Sequence, residues 1–256
     1  MEHPDTDCVE PEHMTKRCGD SIEIGGDYQH RALTKGNPVQ RFWHHSKTLA
    51  IEKLLPPRSG DHTLDVGCGS GVISDFLGRY GARVVGIDAN PDAVRFASET
   101  YCSERVSFRL GLADQPLGQE ASVDKIYCLE LIEHIHAHQS KVMLDSFLRV
   151  LKPGGRALLS TPNYRSFWPV IEWLMDRFGL APHMAGHQHV ELYHRKKLRN
   201  LCRAAGFRVE HMGTMCFLAP WVAPLSWRCA EMLAGMELAA PLIPGSLLVC
   251  VLSKGD

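Results

Sequence analysis

The chain reads as an α/β protein built on a doubly wound, mostly parallel sheet. Three observations say so. Strand-like apolar runs alternate with helical periodicity from Leu64 to Gly213. The run Leu64-Asp65-Val66 opens into the turn Gly67-Cys68-Gly69-Ser70-Gly71. A second run ends in Asp88, 17 residues after Gly71. Alternating strands and helices imply parallel crossovers. Glycines at the turn let the backbone bend tightly and let a ligand approach without a Cβ clash. An acid at the end of the next strand can accept both hydroxyls of a ribose. Together they point to a nucleoside-containing cofactor lying across the carboxyl ends of the sheet.

The elements follow in order. Residues 1–27 are polar, lack an apolar core and are not a signal peptide, so a disordered or loose segment is expected there. The domain then runs over residues 28–256. Phe42, Trp43, Leu49, Ile51, Leu54 and Leu55 give a helix over Asn37–Leu55, stopped by Pro56-Pro57. Strands are expected at Leu64–Val66, Arg83–Ile87, Val106–Leu110, Val123–Leu129, Arg156–Ser160, Phe207–Gly213 and Leu247–Leu252. Helices are expected at Gly71–Tyr80, from Pro91 to Tyr101, at Ser140–Leu151 and at Arg195–Ala205, with Lys152-Pro153-Gly154-Gly155 as a turn. Pro91 suits a first helical position because its missing N–H has no partner there anyway.

Composition narrows the function. The formal net charge is −1 and 45 % of residues are hydrophobic, so a sizeable core can form and nothing suggests a nucleic-acid partner. Nine cysteines without a Cys-x-x-Cys pair read as reduced thiols of a cytoplasmic protein. No 18-residue uncharged apolar run exists, so no membrane span is expected. Segment 217–244 is nonetheless strongly apolar. A helix over Leu225–Ala240 would reach about 24 Å, and Arg228, Glu231 and Glu237 interrupt it. It reads as a packed cover, as a lid over a lipid-like substrate, as a dimer contact, or as a peripheral contact with the inner face of a membrane.

The spacing of the glycine turn selects the cofactor. Dinucleotide folds spell Gly-x-Gly-x-x-Gly for a pyrophosphate. Here the third glycine comes one residue early and Asp65 stands two before the first, which suits the amino-acid end of S-adenosylmethionine. The segment resembles motif I of the class I methyltransferases. Asp124–Glu130 resembles their motif II, and Leu151–Gly155 their motif III. The resemblance implies a seven-stranded Rossmann-like sheet whose last strand is antiparallel. It also implies that Asp65 and the cradle Gly67, Gly69 and Gly71 hold the methionine end, that Asp88 holds the ribose, that Ala113 lies in the adenine segment, and that Leu129 touches the adenine or sulfonium region. Leu112 stands where the family often has an acid for the adenine amino group, and Asp114 is a nearby substitute. Further resemblance, over about Asn37–Glu210, is to the O-methyltransferases of ubiquinone biosynthesis. Asn37-Pro38-Val39-Gln40-Arg41 is similar to their Asn-Pro element, which makes Arg41 the candidate cofactor-binding arginine. Glu130-Leu131-Ile132-Glu133-His134 is similar to a Glu-x-x-Glu-His element that binds a divalent metal in part of that family.

Methyl transfer needs an in-line approach of the nucleophile, and a hydroxyl must also lose its proton. Glu130, Glu133 and His134 follow the fourth strand, at the sheet edge where substrates bind. They could chelate Mg²⁺ or a similar ion beside a catechol, act without metal through His134 as base, or brace the next helix. His183, His187, His189 and His194 form a second cluster with no cysteine pair or spaced acid, a poor zinc set. Tyr164, Phe167, Trp168 and Trp173 either line an apolar acceptor pocket or pack a cover helix. The expected activity is O-methylation of a small aromatic or polyprenylated, quinol-like acceptor. The alternatives are N- or C-methylation of a sugar, lipid or natural product, and a non-catalytic cofactor-binding scaffold. No Asn-Pro-Pro-Tyr element follows the fourth strand, which disfavours a base-flipping enzyme.

Overall fold

A computed structural model describes residues 25–178, 189–240 and 243–255. All but the last three residues of the expected loose segment 1–27 lie outside this range, as do His183 and His187. Among the described residues, one seven-stranded sheet runs in the order β3-β2-β1-β4-β5-β7-β6. The strands are β1 (His62–Val66), β2 (Arg83–Asp88), β3 (Val106–Leu110), β4 (Val123–Leu129), β5 (Leu151–Pro162), β6 (Arg208–Met215) and β7 (Leu247–Ser253). β1 to β5 pair in parallel, whereas β7 lies between β5 and β6, antiparallel to both. The strand order reverses direction at β1 and β4, and the crevice at such a switch point is where open α/β sheets bind ligands.

The core lies on both faces of this sheet. On β4, Ile126 and Cys128 enter one apolar cluster, while Tyr127 and Leu129 enter the other. β7 divides in the same way, with Leu248, Cys250 and Leu252 against Leu247, Val249 and Val251. Successive side chains of a strand point to opposite faces, so a strand covered on both sides is a continuous apolar run.

Helices α1 (Tyr28–Lys35) and α2 (Pro38–Leu54) precede the sheet. Asn37 caps α2 by accepting from the Gln40 N–H at 2.9 Å, with Pro38 in its first turn. α3 (Val72–Arg79) and α4 (Pro91–Tyr101) cross between β1, β2 and β3. α5 (Ala137–Val150) begins three residues earlier than expected, because Gln139 reaches back to accept the His136 N–H at 3.0 Å. The expected turn Lys152–Gly155 is instead the start of β5. Leu151 pairs with Val123, and a register shift before Lys125 absorbs Gly154, whose φ is +70°.

α6 (Trp168–Phe178) and α7 (Arg195–Ala204) lead to β6, and the apolar segment then forms α8 (Ala219–Val222) and α9 (Trp227–Ala239). The single helix expected over Leu225–Ala240 thus starts two residues later and ends one earlier. Ala219, Ala223, Ala230 and Ala234 close on Phe42 of α2, so the segment packs onto the domain. Its outer side stays apolar, with Leu225 87 % exposed. Among the described residues no helix is long and apolar enough to cross a membrane.

The buried Glu237 carboxylate holds this cover together. It accepts the backbone N–H groups of Phe217, Leu218 and Ala219 at 3.0, 2.8 and 2.9 Å. Charge-assisted bonds of this kind are the strong ones, and buried donors left without partners are expensive. Glu237→Ala is therefore expected to destabilise the protein by about 3 kcal/mol. Urea unfolding measures this, and a loss of under about 0.5 kcal/mol would contradict the cap.

Candidate active site

The carboxyl ends of β1, β2 and β4 open into one cavity of about 530 Å³. Its floor is the glycine turn. Gly67, Gly69 and Gly71 all have positive φ, at +78°, +50° and +81°. The Gly67 and Cys68 N–H groups donate to Ile87 O, which lashes the turn to β2. A Cβ on Gly69 would lie 2.7 Å from Gln29 Oε1, so α1 lies directly over the turn. The His30 N–H donates to Ser70 Oγ, and the His30 ring meets the Tyr101 hydroxyl at 2.6 Å.

Asp88 ends β2 beside this turn. Its Oδ2 accepts from the Gly69 N–H and its Oδ1 from the Asn90 N–H, both at 2.8 Å. A carboxylate has about four acceptor positions, so capacity remains for sugar hydroxyls. Burial pushes the Asp88 carboxyl up, against the lowering effect of the Asn90 and Gly69 donors. Asp65 is also buried and accepts from Ser74 Oγ at 2.6 Å. Burial pushes its pKa up to about 7. Two desolvated carboxyl groups thus lie at the cavity and in the recess beside it, and a nearby cation would favour their charged forms.

The remaining candidates separate. Gly67, Gly69 and Asp88 line the cavity, while Asp65 and Leu129 line a small recess beside it with Gly67. Gly71 lies beneath the floor, where a Cβ would lie 2.8 Å from Ala97 and Phe108. Ala113 packs against the apolar core, and Asp114 accepts from Gln139 Nε2. Arg41 lies off the cavity wall. Its Nε donates to Leu33 O and its guanidinium sits 5.8 Å from the Trp227 ring. Helical geometry explains the displacement: one residue is about 100° of rotation. Gln40, Trp43, His44 and Lys47 form the inward stripe of α2 at i, i+3, i+4 and i+7, and Arg41 falls beside it.

Beyond β4 the cluster differs from the sequence expectation. Glu130 has φ +54°, a strained value for a side-chain-bearing residue. Its carboxylate forms an ion pair with the buried Lys47 and accepts from Trp43 Nε1. Burial raises the Glu130 pKa, but Lys47 outweighs that and holds it below the ordinary range. The same surroundings, burial first and Lys47 second, push His44 down to about 3. Glu133, His134 and His189 bring ligand-type atoms within 4.8 Å of one another, without Glu130. Burial raises Glu133 to about 7.

His189 has an acid after all, delivered from α6. Its Nδ1 lies 2.6 Å from Glu172 Oε1 and 2.8 Å from the Tyr164 hydroxyl. Burial opposes the charged imidazole, but the Glu172 hydrogen bond and the Glu133 charge raise the pKa overall. Lys47, Gln40 and the Glu172–His189 pair escaped the sequence reading. The first two were readable as the α2 stripe. The third joins residues 17 apart through a helix whose position no local pattern gives.

A family model described as a methyltransferase domain matches residues 39–212, more than half of the chain. The chain belongs to the methyltransferase family. It is 31 % identical over 170 residues to a ubiquinone biosynthesis O-methyltransferase of Xylella fastidiosa, covering 64 % of this chain and 68 % of the relative. A protein of the same description from Albidiferax ferrireducens is 29 % identical over 199 residues, covering 74 % and 72 %. A SAM-dependent methyltransferase structure from Thermotoga maritima superposes with a TM-score of 0.64 at 19 % identity, over 90 % of this chain and 95 % of that one, which shows the shared fold. The enzyme is thus a SAM-dependent methyltransferase of α/β fold with an antiparallel β7, and S-adenosylmethionine is its cofactor. The cavity suits that cofactor: Gly67 and Gly69 in its floor, an acid with spare acceptor capacity and a second buried acid in the recess beside it.

Two outcomes follow from these carboxyl groups. Asp88→Ala is expected to weaken S-adenosylhomocysteine by about 10- to 100-fold in calorimetric titration, the range for hydrogen bonds to a charged group. An Asp65 that serves as partner of the cofactor's ammonium has to be ionised. Its raised pKa means the ligand-free protein holds a proton that the loaded protein gives up. Affinity is therefore expected to rise with pH up to about 7 and then level off, with proton release at about pH 6. Titration in buffers of different ionisation enthalpy reads the proton directly, and Asp65→Asn should abolish its release.

Proposed function

We propose that the enzyme methylates a hydroxyl of a small aromatic or polyprenylated, quinol-like acceptor. The observation that carries this is one shared cavity. The glycine floor and Asp88 face it, and so do Glu133, His134 and His189, while Trp43, Trp168, Ile171, Trp221 and Pro224 make an apolar wall. Trp43 and Trp168 lie with ring centroids 5.2 Å apart, which suits contact with a flat ring. The names of the relatives favour the same acceptor class.

S-adenosylmethionine supplies an electrophilic methyl on a sulfonium. The protein's own residues bind both partners and take the hydroxyl proton. His134 is the assigned base, with Glu133 and His189 beside it; the His134 and His189 ring centroids are 4.9 Å apart. Lys47 and Trp43 occupy Glu130, whose part is to brace the wall. A divalent ion is a second reading, favoured by the 4.8 Å spread of the Glu133, His134 and His189 ligand atoms. Those three residues would hold it, and it would lower the pKa of a bound hydroxyl.

The apolar outer side of 217–244 adjoins the mouth of this cavity. Trp221 and Pro224 line the cavity, while Leu218 and Leu225 are exposed beside them. We assign this collar to a peripheral contact with the lipid surface that carries a prenylated acceptor.

A tritiated-methyl assay on catechols and prenylated quinols, with and without Mg²⁺, tests the activity. His134→Ala should lower turnover by about 100-fold or more with cofactor affinity intact. Unchanged turnover would remove His134 from the chemistry. Leu218→Ser combined with Leu225→Ser, both exposed and off the cavity wall, should reduce use of a prenylated acceptor in vesicles several-fold and leave a soluble catechol unaffected. Equal effects on both substrates would refute the lipid contact.

A further inference from the structure

Among the described residues lining the cavity, Lys47 is the only lysine or arginine. It comes from the inward stripe of α2 and is 4 % exposed, with its ammonium paired to Glu130. His44 Nδ1 stands 3.5 Å from Nζ. Because His44 titrates at about 3, it is neutral at ordinary pH and adds no repelling charge. An ammonium has three hydrogens to donate. Glu130 and His44 account for two, and the third has no acceptor among the described residues.

A recess of about 20 Å³ adjoins the cavity, and Lys47, Asp65 and Gly67 all line it. An acid and a base therefore face one small space beside the glycine floor. An α-amino acid carries an ammonium and a carboxylate on a single carbon, so it presents two opposite charges a few ångströms apart. The recess has room for about one water-sized group such as the ammonium beside Asp65, and Lys47, which lines the cavity as well as the recess, offers a partner to the carboxylate at their junction. Arg41 offers none, since Leu33 O and the Trp227 ring hold its guanidinium elsewhere. Gln40 lines the cavity but carries no charge.

We propose that Lys47 receives the methionine carboxylate of the cofactor through its third N–H, opposite the ammonium site at Asp65. This rests on the assignment of the cavity as the cofactor site. Glu130 then has a defined part in binding, because it holds the lysine ammonium at the edge of the recess while leaving one hydrogen for the ligand. A buried charge that is fixed in this way costs little to reorganise when a ligand arrives.

Calorimetry on the full chain with two ligands tests the assignment. S-adenosylhomocysteine carries the amino-acid end, whereas 5′-methylthioadenosine keeps the nucleoside and thioether but lacks it. Lys47→Met is expected to weaken S-adenosylhomocysteine by about 10- to 100-fold and to leave methylthioadenosine within about threefold. Arg41→Met is expected to change neither, and Lys47→Arg to keep part of the preference for the amino-acid ligand. If Lys47→Met fails to fold because Glu130 is stranded, the double variant Lys47→Met with Glu130→Gln removes both charges and should show the same selective loss. The proposal is overturned if lysine removal weakens both ligands alike, if it leaves S-adenosylhomocysteine unchanged, or if Arg41→Met produces the selective loss. Failure of the unsubstituted protein to bind either ligand would instead overturn the cofactor site itself.

Discussion

The buried ion pair between Lys47 and Glu130 is the contact on which the site depends. It ties the inner face of α2 to the residue that follows β4, and so sets the distance between the two walls of the cavity. Taking two charges out of water consumes most of what their attraction returns. The pair is therefore poor evidence of stability but good evidence of position. Removing one partner would leave the other buried and uncompensated, at a cost of about 3–5 kcal/mol. The left-handed backbone at Glu130 fits this view. An unfavourable φ persists where the surroundings dictate it, and here Lys47, Trp43 Nε1 and the backbone bond from Glu130 N–H to Ser160 O do so.

Charge is distributed unevenly around the cavity. Asp65, Asp88 and Glu133 are all desolvated and pushed upward, whereas Glu130 is pulled down by its lysine. One acid is thus held as an anion by its lysine, while burial works against the charged form of the other three. A sulfonium ligand with an ammonium at one end meets that pattern better than a dinucleotide, whose pyrophosphate would add negative charge. The glycine spacing and the electrostatics therefore agree about the cofactor for independent reasons.

Most of the sheet was legible in the sequence because its signals are local. β2 and β4 read as apolar runs, Pro91 marked a helix start, and the glycine turn located the switch point. What escaped depends on relations that no window of residues contains. Whether Arg41 or Gln40 faces the cavity is decided by the phase of α2, and a single residue of spacing moves a side chain by a quarter-turn or more. Glu172 reaches His189 because α6 lies along the cavity wall, where its Trp168 and Ile171 also stand. Glu191, two residues from His189, pairs with Lys197, and the acid that His189 meets is Glu172. Similarly, Glu237 looked like an interruption of an apolar helix, yet it is the acceptor for three backbone donors.

The place of β7 has a consequence for how the protein is made. β6 joins the sheet through β7, which is the strand that separates it from β5. During synthesis β6 therefore emerges with no neighbour to receive its hydrogen bonds, and the exposed side of β5 waits as well. Both edges close only when residues 247–253 arrive, more than thirty positions after β6 ends. Contacts of long sequence separation form slowly, and unpaired edges invite wrong partners. The cover between β6 and β7 packs on Phe42 of α2, a contact that needs neither edge to be closed first.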